Sequence, residues 1–214
     1  MENISEEINI TKAGNPAKPS GDAGREMLKR MNESHYDVTG WALSKWEIKE
    51  NDNVLDIGCG GGRTLKRMSE RIISGTLTGV DYSEVSVNMT TEYNEELVKK
   101  GILSVLNASV EALPFPENSF EKIITVESFY FWPNPLENLK EVRRVLKEKG
   151  HFLLVADIYG REDLSEHQME NIAEYDLTNP TVDEFRIFFE NAGFSEISIH
   201  LKNGTSWVCV EGTK

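Results

Sequence analysis

The residues best placed to do chemistry lie in one run, Asp56-Ile57-Gly58-Cys59-Gly60-Gly61-Gly62. An acid stands inside the apolar stretch Val54, Leu55, Ile57, and four glycines crowd its end. Thr64-Leu65-Lys66-Arg67-Met68 then begins a helical pattern. The apolar stretch suits a strand buried on both faces. Glycines at the strand-to-helix turn accept positive φ and let backbone N–H groups approach a ligand. The helix N-terminus adds unsatisfied donors and a partial positive charge. The natural guest is a nucleotide-like molecule; the plain alternative is a Gly-rich turn with no ligand. The spacing is D-x-G-x-G-x-G. A dinucleotide fingerprint begun at Gly58 needs glycine where Arg63 stands. No Gly-Lys-Ser/Thr of a phosphate loop occurs.

A second acid, Asp81, closes the next apolar run nineteen residues after Gly62. That is close to the spacing at which an acid meets ribose hydroxyls in nucleotide folds, and a carboxylate can accept from both the 2′- and 3′-OH. Asp81 could instead cap the helix expected from Ser83 to about Lys100. Asp56 to Gly62, followed by Gly79-Val80-Asp81-Tyr82-Ser83, resembles the first two motifs of the class I S-adenosylmethionine (SAM)-dependent methyltransferases. The resemblance implies SAM as cofactor. It puts the glycine turn under the methionine part, Asp56 on the loop and its water, Asp81 on the ribose and Tyr82 beside the adenine. In Ala108 to Phe115, Ser109 stands where the family's adenine-binding acid is expected, with the Val110 backbone as a further contact. The run Ser119 to Leu154 is similar to small-molecule methyltransferases of the "type 11" sort. The cofactor set implied is therefore Asp56, Gly58, Cys59, Gly60, Gly62, Asp81, Tyr82, Ser109, Val110 and Glu127.

SAM carries an activated methyl group, so orientation and exclusion of water are the protein's main tasks. A general base is needed only if the acceptor must lose a proton. His35, Tyr130 and Glu127 are candidates, and their spacing singles out none. Phe129, Tyr130, Phe131 and Trp132 offer aromatic faces to a cation, or pack beneath a helix. Three alternatives share the fold. An NAD-dependent reductase lacks its Tyr-x-x-x-Lys here, an aminopropyl transferase lacks a clear set of extra acids, and a non-catalytic SAM-binding partner protein would keep only the cofactor motif.

These residues must be positioned by a chain of 214 residues with net charge −13. That length supports one substantial core with additions. The charge disfavours nucleic acid and anionic membranes as partners, and the family resemblance implies a small-molecule acceptor. Cys59 and Cys209 form no disulfide framework or zinc pattern. The first residues lack a signal-peptide pattern, so a cytoplasmic location is expected. Residues 1–23 are polar, with Pro and Gly in the middle, and read as a flexible arm. Residues 24–50 carry two helical patterns and read as a cap that either packs on the sheet edge or turns Asn32, His35 and Trp41 toward the ligand. For Trp41 and Trp46 packing is the better reading. Residues 51–214 read as the SAM-binding domain, an α/β fold in which strands alternate with helices. Helices are expected over Arg63 to about Ile72, Pro135–Lys149 and Thr181–Asn191. Asn203-Gly204 joins the last two strands as an antiparallel hairpin. The family resemblance covers residues 53 to 214 and implies a Rossmann-like, doubly wound, seven-stranded sheet of order 3-2-1-4-5-7-6.

Calorimetry on the purified protein should show SAM and S-adenosylhomocysteine (SAH) bound and NAD ignored. NAD bound with SAM ignored overturns this reading.

Overall fold

The computed structural model describes residues 9–214. The first eight residues of the expected arm lie outside the described residues. Residues 9–14 are helical (α1). Two helices, α2 (Gly21–Ser34) and α3 (Tyr36–Leu43), precede the sheet. The sheet strands are β1 (Asn53–Ile57), β2 (Thr76–Asp81), β3 (Leu103–Asn107), β4 (Phe120–Val126), β5 (Leu146–Ala156), β6 (Ser195–Leu201) and β7 (Val208–Thr213). Helices α4 (Arg63–Met68), α5 (Glu84–Tyr93), α6 (Glu95–Lys99), α7 (Pro135–Val145), α8 (Glu166–Glu174) and α9 (Val182–Asn191) connect them. The strand order is β3-β2-β1-β4-β5-β7-β6, and β7 runs antiparallel to both its neighbours. This is the expected architecture. Chain direction reverses its course across the sheet between β1 and β4, and a crevice opens there at the carboxyl strand ends. Among the described residues no helix is long and apolar enough to cross a membrane.

The pleat sends alternate residues of each central strand to opposite faces, and both faces are covered. Leu55, Ile57, Ile123, Phe152 and Leu154 pack with Leu139 and Val142 of α7 and with Phe185 and Phe189 of α9. Val54, Ile124, Leu153 and Val155 face the other way, onto Val38 and Ala42 of α3 and Leu65 and Met68 of α4. The cap helix α3 is thus part of the second core. Trp46 is buried in that core, with the Lys122 ammonium 5.1 Å from its ring centre. Trp41 packs against Trp207 at 6.2 Å.

Three stretches differ from the sequence expectation. The helix expected over Ser83–Lys100 breaks at Asn94, whose side-chain amide donates to Gly62 O and Thr90 O at 3.0 Å each. The helix expected over Pro135–Lys149 ends at Val145, because Leu146 pairs with Phe120 and the Ser119 N–H donates to the Val145 carbonyl at 2.8 Å. The ladder takes the chain a turn early, and residues 147–150 bulge before pairing resumes at His151. Within the expected flexible arm, Ser83 Oγ donates to Pro19 O at 2.6 Å and the Tyr82 hydroxyl donates to Ala17 O. These bonds hold residues 17–19 against the start of α5. The α9 cap follows its pattern: Thr181 accepts from the Glu184 N–H at 3.3 Å, and Glu184 closes the capping box.

Because Asn94 is 1% exposed and props the Gly62 carbonyl, Asn94→Ala should cost about 1–3 kcal/mol of stability. Chemical denaturation of the ligand-free protein checks this; an unchanged midpoint contradicts it.

Candidate functional site

Strand β1 delivers the glycine turn to the crevice. The N–H groups of Gly58 and Cys59 donate to Val80 O at 2.8 and 3.1 Å, which ties the turn to β2. Gly58, Gly60 and Gly62 have φ of +74°, +52° and +80°, the left-handed region where a side chain is strained. A Cβ on Gly58 would stand 2.5 Å from that of Ser128, so the backbone must pass bare there. At Gly60 a Cβ would meet nothing nearer than a Leu28 methyl at 3.5 Å; its open side is the cavity.

Three side chains hold the carbonyls of this turn. Thr90 Oγ1 donates to Gly60 O at 2.8 Å, Asn32 Nδ2 to Gly61 O at 3.1 Å and Asn94 Nδ2 to Gly62 O at 3.0 Å. Thr90 and Asn94 escaped the sequence reading. Their only signal is a four-residue spacing that puts both on one face of a helical pattern.

Asp81 fastens the other side. Its Oδ2 accepts from the Gly60 N–H at 3.0 Å and its Oδ1 from the Ser83 N–H at 2.9 Å. The helix cap itself is Ser83, whose hydroxyl accepts from the Ser86 N–H at 3.3 Å. Asp81 is therefore not the N-cap that the sequence left open. Burial raises its pKa, and the two N–H bonds oppose that shift. Asp56 is 1% exposed, and both its carboxylate oxygens are buried without a hydrogen-bond partner among the described residues. Burial, and then the neighbouring Asp81 charge, push its carboxyl up to about 8.

A cavity of about 340 Å³ runs over the turn. Of the cofactor residues singled out in the sequence, Gly62 alone stands back from it; Asp56, Gly58, Cys59, Gly60, Asp81, Tyr82, Ser109, Val110 and Glu127 border it. Tyr82 is 42% exposed. Ser109 Oγ donates to Glu111 Oε2 at 3.2 Å and accepts from the Glu111 N–H at 3.2 Å. The Glu111 carboxylate thus stands beside the serine at the same wall. Sequence reasoning looked for an acid at position 109 and missed one two residues on, because the turn after β3 brings Glu111 back.

Of the three base candidates, His35 and Glu127 border the cavity and Tyr130 does not. Tyr130 is 6% exposed, and its hydroxyl donates to Glu127 Oε2 at 3.2 Å. Burial lifts its pKa well above the usual phenol value. It supports Glu127 from behind and does not itself meet a ligand. Phe129 is in the core, whereas Phe131 and Trp132 reach the cavity. Trp41, the third cap residue considered, does not.

The donor set fits SAM. The unpaired, buried Asp56 carboxyl beside Asp81 favours a ligand of net positive charge, and the bare Gly60 face gives it room. With a raised folded-state pKa, Asp56 contributes stability that is full below its unfolded pKa of about 3.9 and is lost as pH rises toward about 8. Asp56→Asn removes that loss. The melting temperature of the ligand-free variant, measured against the parent protein, should therefore rise from pH 5 to pH 8; a constant difference contradicts it.

The family model described as "Methyltransferase domain" matches residues 55–154. The uncharacterized methyltransferase YdaC of Bacillus subtilis is 25% identical over 174 residues, 81% of this chain and 88% of its own. The chloroplastic 2-methyl-6-phytyl-1,4-hydroquinone methyltransferase 2 of Oryza sativa subsp. japonica is 26% identical over 180 residues, 83% of this chain. The match spans only 49% of that plant protein. A SAM-dependent methyltransferase structure from Aquifex aeolicus shares the fold with a TM-score of 0.68 and 22% identity, over 88% of this chain and 97% of its own. The glycine turn, the 3-2-1-4-5-7-6 sheet and these matches agree: residues 55–154 carry a methyltransferase domain, set in a chain that has the fold of the class I SAM-dependent methyltransferases.

Proposed function

We propose that this protein is an active methyltransferase that moves the methyl group of SAM to a small-molecule acceptor. The observation that carries this reading is the cavity itself. At about 340 Å³ it lies near the lower end of the range for small-ligand sites, about 300–1,000 Å³. It is walled by Leu28, Met31 and His35 of the cap on one side and by the glycine turn on the other. Such a space suits a small molecule better than a polypeptide or a nucleic acid, and the net charge of −13 also disfavours the latter. The two relatives named above are both called methyltransferases, one of them with a hydroquinone in its name.

In this reading the glycine turn would lie under the methionine part of SAM, and Asp81 would offer its remaining lone pairs to the ribose hydroxyls. Tyr82, Ser109, Val110 and Glu111 would flank the adenine. Residues 24–50 would serve as the cap that excludes water above the acceptor, with residues 16–19 closing the adenosine side. A non-catalytic SAM-binding protein would need no acceptor space. The wall formed by His35, Glu127, Phe131 and Trp132 favours an enzyme.

Incubation with SAM and pooled small-molecule acceptors, read as SAH release, tests this. SAH should form with some pool and disappear in Gly60→Val, where a branched side chain enters the open face of the turn. Tight SAM binding without SAH release from any pool overturns the catalytic reading.

A further inference from the structure

Two side chains at the cavity, His35 and Glu127, stand with a third just outside its wall, Asp157, and of the three only Glu127 is counted with the cofactor set. His35 leaves the junction of α2 and α3, Glu127 ends β4, and Asp157 follows β5. One nitrogen of His35 and one oxygen of each carboxylate lie within 4.8 Å of one another. The His35 ring makes no hydrogen bond and no ion pair among the described residues, although both acids are near. Glu127 is 9% exposed and holds φ of +55°, an unfavourable backbone for a residue with a side chain. Two hydrogen bonds hold its carboxylate in place: Oε1 accepts from the Asp157 N–H at 2.5 Å and Oε2 from the Tyr130 hydroxyl at 3.2 Å.

Each Glu127 oxygen keeps a lone pair free after those bonds. No lysine or arginine among the described residues pairs with Glu127 or Asp157. The arginines at the cavity are occupied elsewhere: Arg63 and Arg67 lie over the Tyr36 ring at 4.5 and 4.3 Å, and Arg63 also pairs with Glu33. The two acids therefore present acceptors and negative charge with no cation paired to them among the described residues, although the Arg30 charge reaches His35.

We propose that the methyl acceptor is an amine, held as its ammonium ion among Glu127, Asp157 and His35, with His35 taking its proton. The proposal rests on the methyltransferase reading above. An ammonium carries N–H donors in a tetrahedral array. Bonds of about 2.8 Å place their acceptors roughly 4.6 Å apart, which matches a histidine standing beyond ion-pair reach of the acids yet within 4.8 Å. A shared zinc ion, with ligands at about 2.1 Å, needs them much closer. The sign of the charge points the same way. A phenol must become phenolate as it attacks, and the buried Glu127 carboxylate with the more exposed Asp157 beside it opposes that anion; an ammonium in the same place is favoured.

The protonation states agree with this geometry. Burial, with a smaller contribution from Arg30, lowers the His35 pKa, so the ring is neutral and able to accept a proton; Asp157 opposes that shift. Burial and the Asp157 charge lift the Glu127 carboxyl well above its usual value, a cost that a bound cation relieves. In the transfer, the ammonium N–H bond breaks and the proton passes to His35. The freed nitrogen lone pair forms the N–C bond to the methyl carbon, and the C–S bond breaks with its electron pair on sulfur, leaving SAH. The imidazolium returns its proton to solvent.

The test uses the full chain with SAH present. Benzylamine and its neutral isostere benzyl alcohol are titrated by calorimetry into the native protein and into Asp157→Asn, whose SAH affinity checks its fold. Benzylamine should bind the native protein about tenfold tighter or more, the worth of one charge-assisted bond, and this preference should shrink toward parity in Asp157→Asn. Equal affinities in the native protein overturn the proposal whether or not the variant folds. So does stabilisation by magnesium or zinc alone without an amine preference. Methyl transfer from SAM to hydroquinones but to no amine overturns the amine assignment and leaves the methyltransferase reading standing. Failure of the native chain to bind SAH removes that reading and the proposal together.

Discussion

The Asp81 carboxylate joins two turns that the rest of the site depends on. One oxygen holds the Gly60 N–H and the other the Ser83 N–H. The carboxyl ends of β1 and β2 are thereby locked at a fixed separation. A turn with three left-handed residues has little intrinsic preference for its own shape. It persists because its N–H groups reach Val80 and Asp81 while its carbonyls are held by Thr90, Asn32 and Asn94. Helices α2 and α5 are thus fastened to the turn from opposite sides. A ligand that binds the turn meets a surface already ordered, which spares it most of the entropic cost of arranging those groups.

Electrostatics give the cavity its second character. Asp56, Asp81, Glu111 and Glu127 all border it, while its arginines are drawn toward Tyr36 and Glu33. Carboxylates gathered in a poorly hydrated space resist ionisation, and the raised pKa values of Asp56, Asp81 and Glu127 express that resistance. A ligand of positive charge relieves it. The same argument applies around Asp56 and Asp81 and around Glu127, all of which border the one cavity. Apolar walls at Leu28, Met31 and Trp132 keep the dielectric low and so strengthen every charged contact made inside.

The cap is part of the fold as well as of the site. Val38 and Ala42 of α3 sit in the core beneath β1, β4 and β5, while His35, three residues before Val38, and Asn32, near the end of α2, face the crevice. Asn32 ties α2 directly to the glycine turn through its bond to Gly61 O.

Much of this was legible in the sequence because it is local. Strand β1, the glycine turn and α4 follow from an apolar run, glycines that tolerate positive φ and a helical period, all within sixteen residues of chain from Asn53 to Met68. Asp81, the terminal hairpin and the Thr181 cap are likewise short-range patterns. The glycine turn and the acids that gather at the cavity could be located for that reason, and the strand order came with the family resemblance. The proposed acceptor end could be read only in part: His35 and Glu127 were candidates, but nothing in the sequence pointed to Asp157 or grouped the three. His35, Glu127 and Asp157 stand far apart in the chain, and only the packing of the α2–α3 junction over the ends of β4 and β5 brings them together. Tertiary contacts also broke one predicted helix at Asn94 and ended another at Val145, where a carbonyl and a strand ladder outweighed a weak helical preference. They sent Trp41 to Trp207 and Tyr130 into the core, and placed Glu111 beside Ser109. Which of several suitable side chains reaches a cavity depends on long-range packing, and local residue preferences carry no record of it.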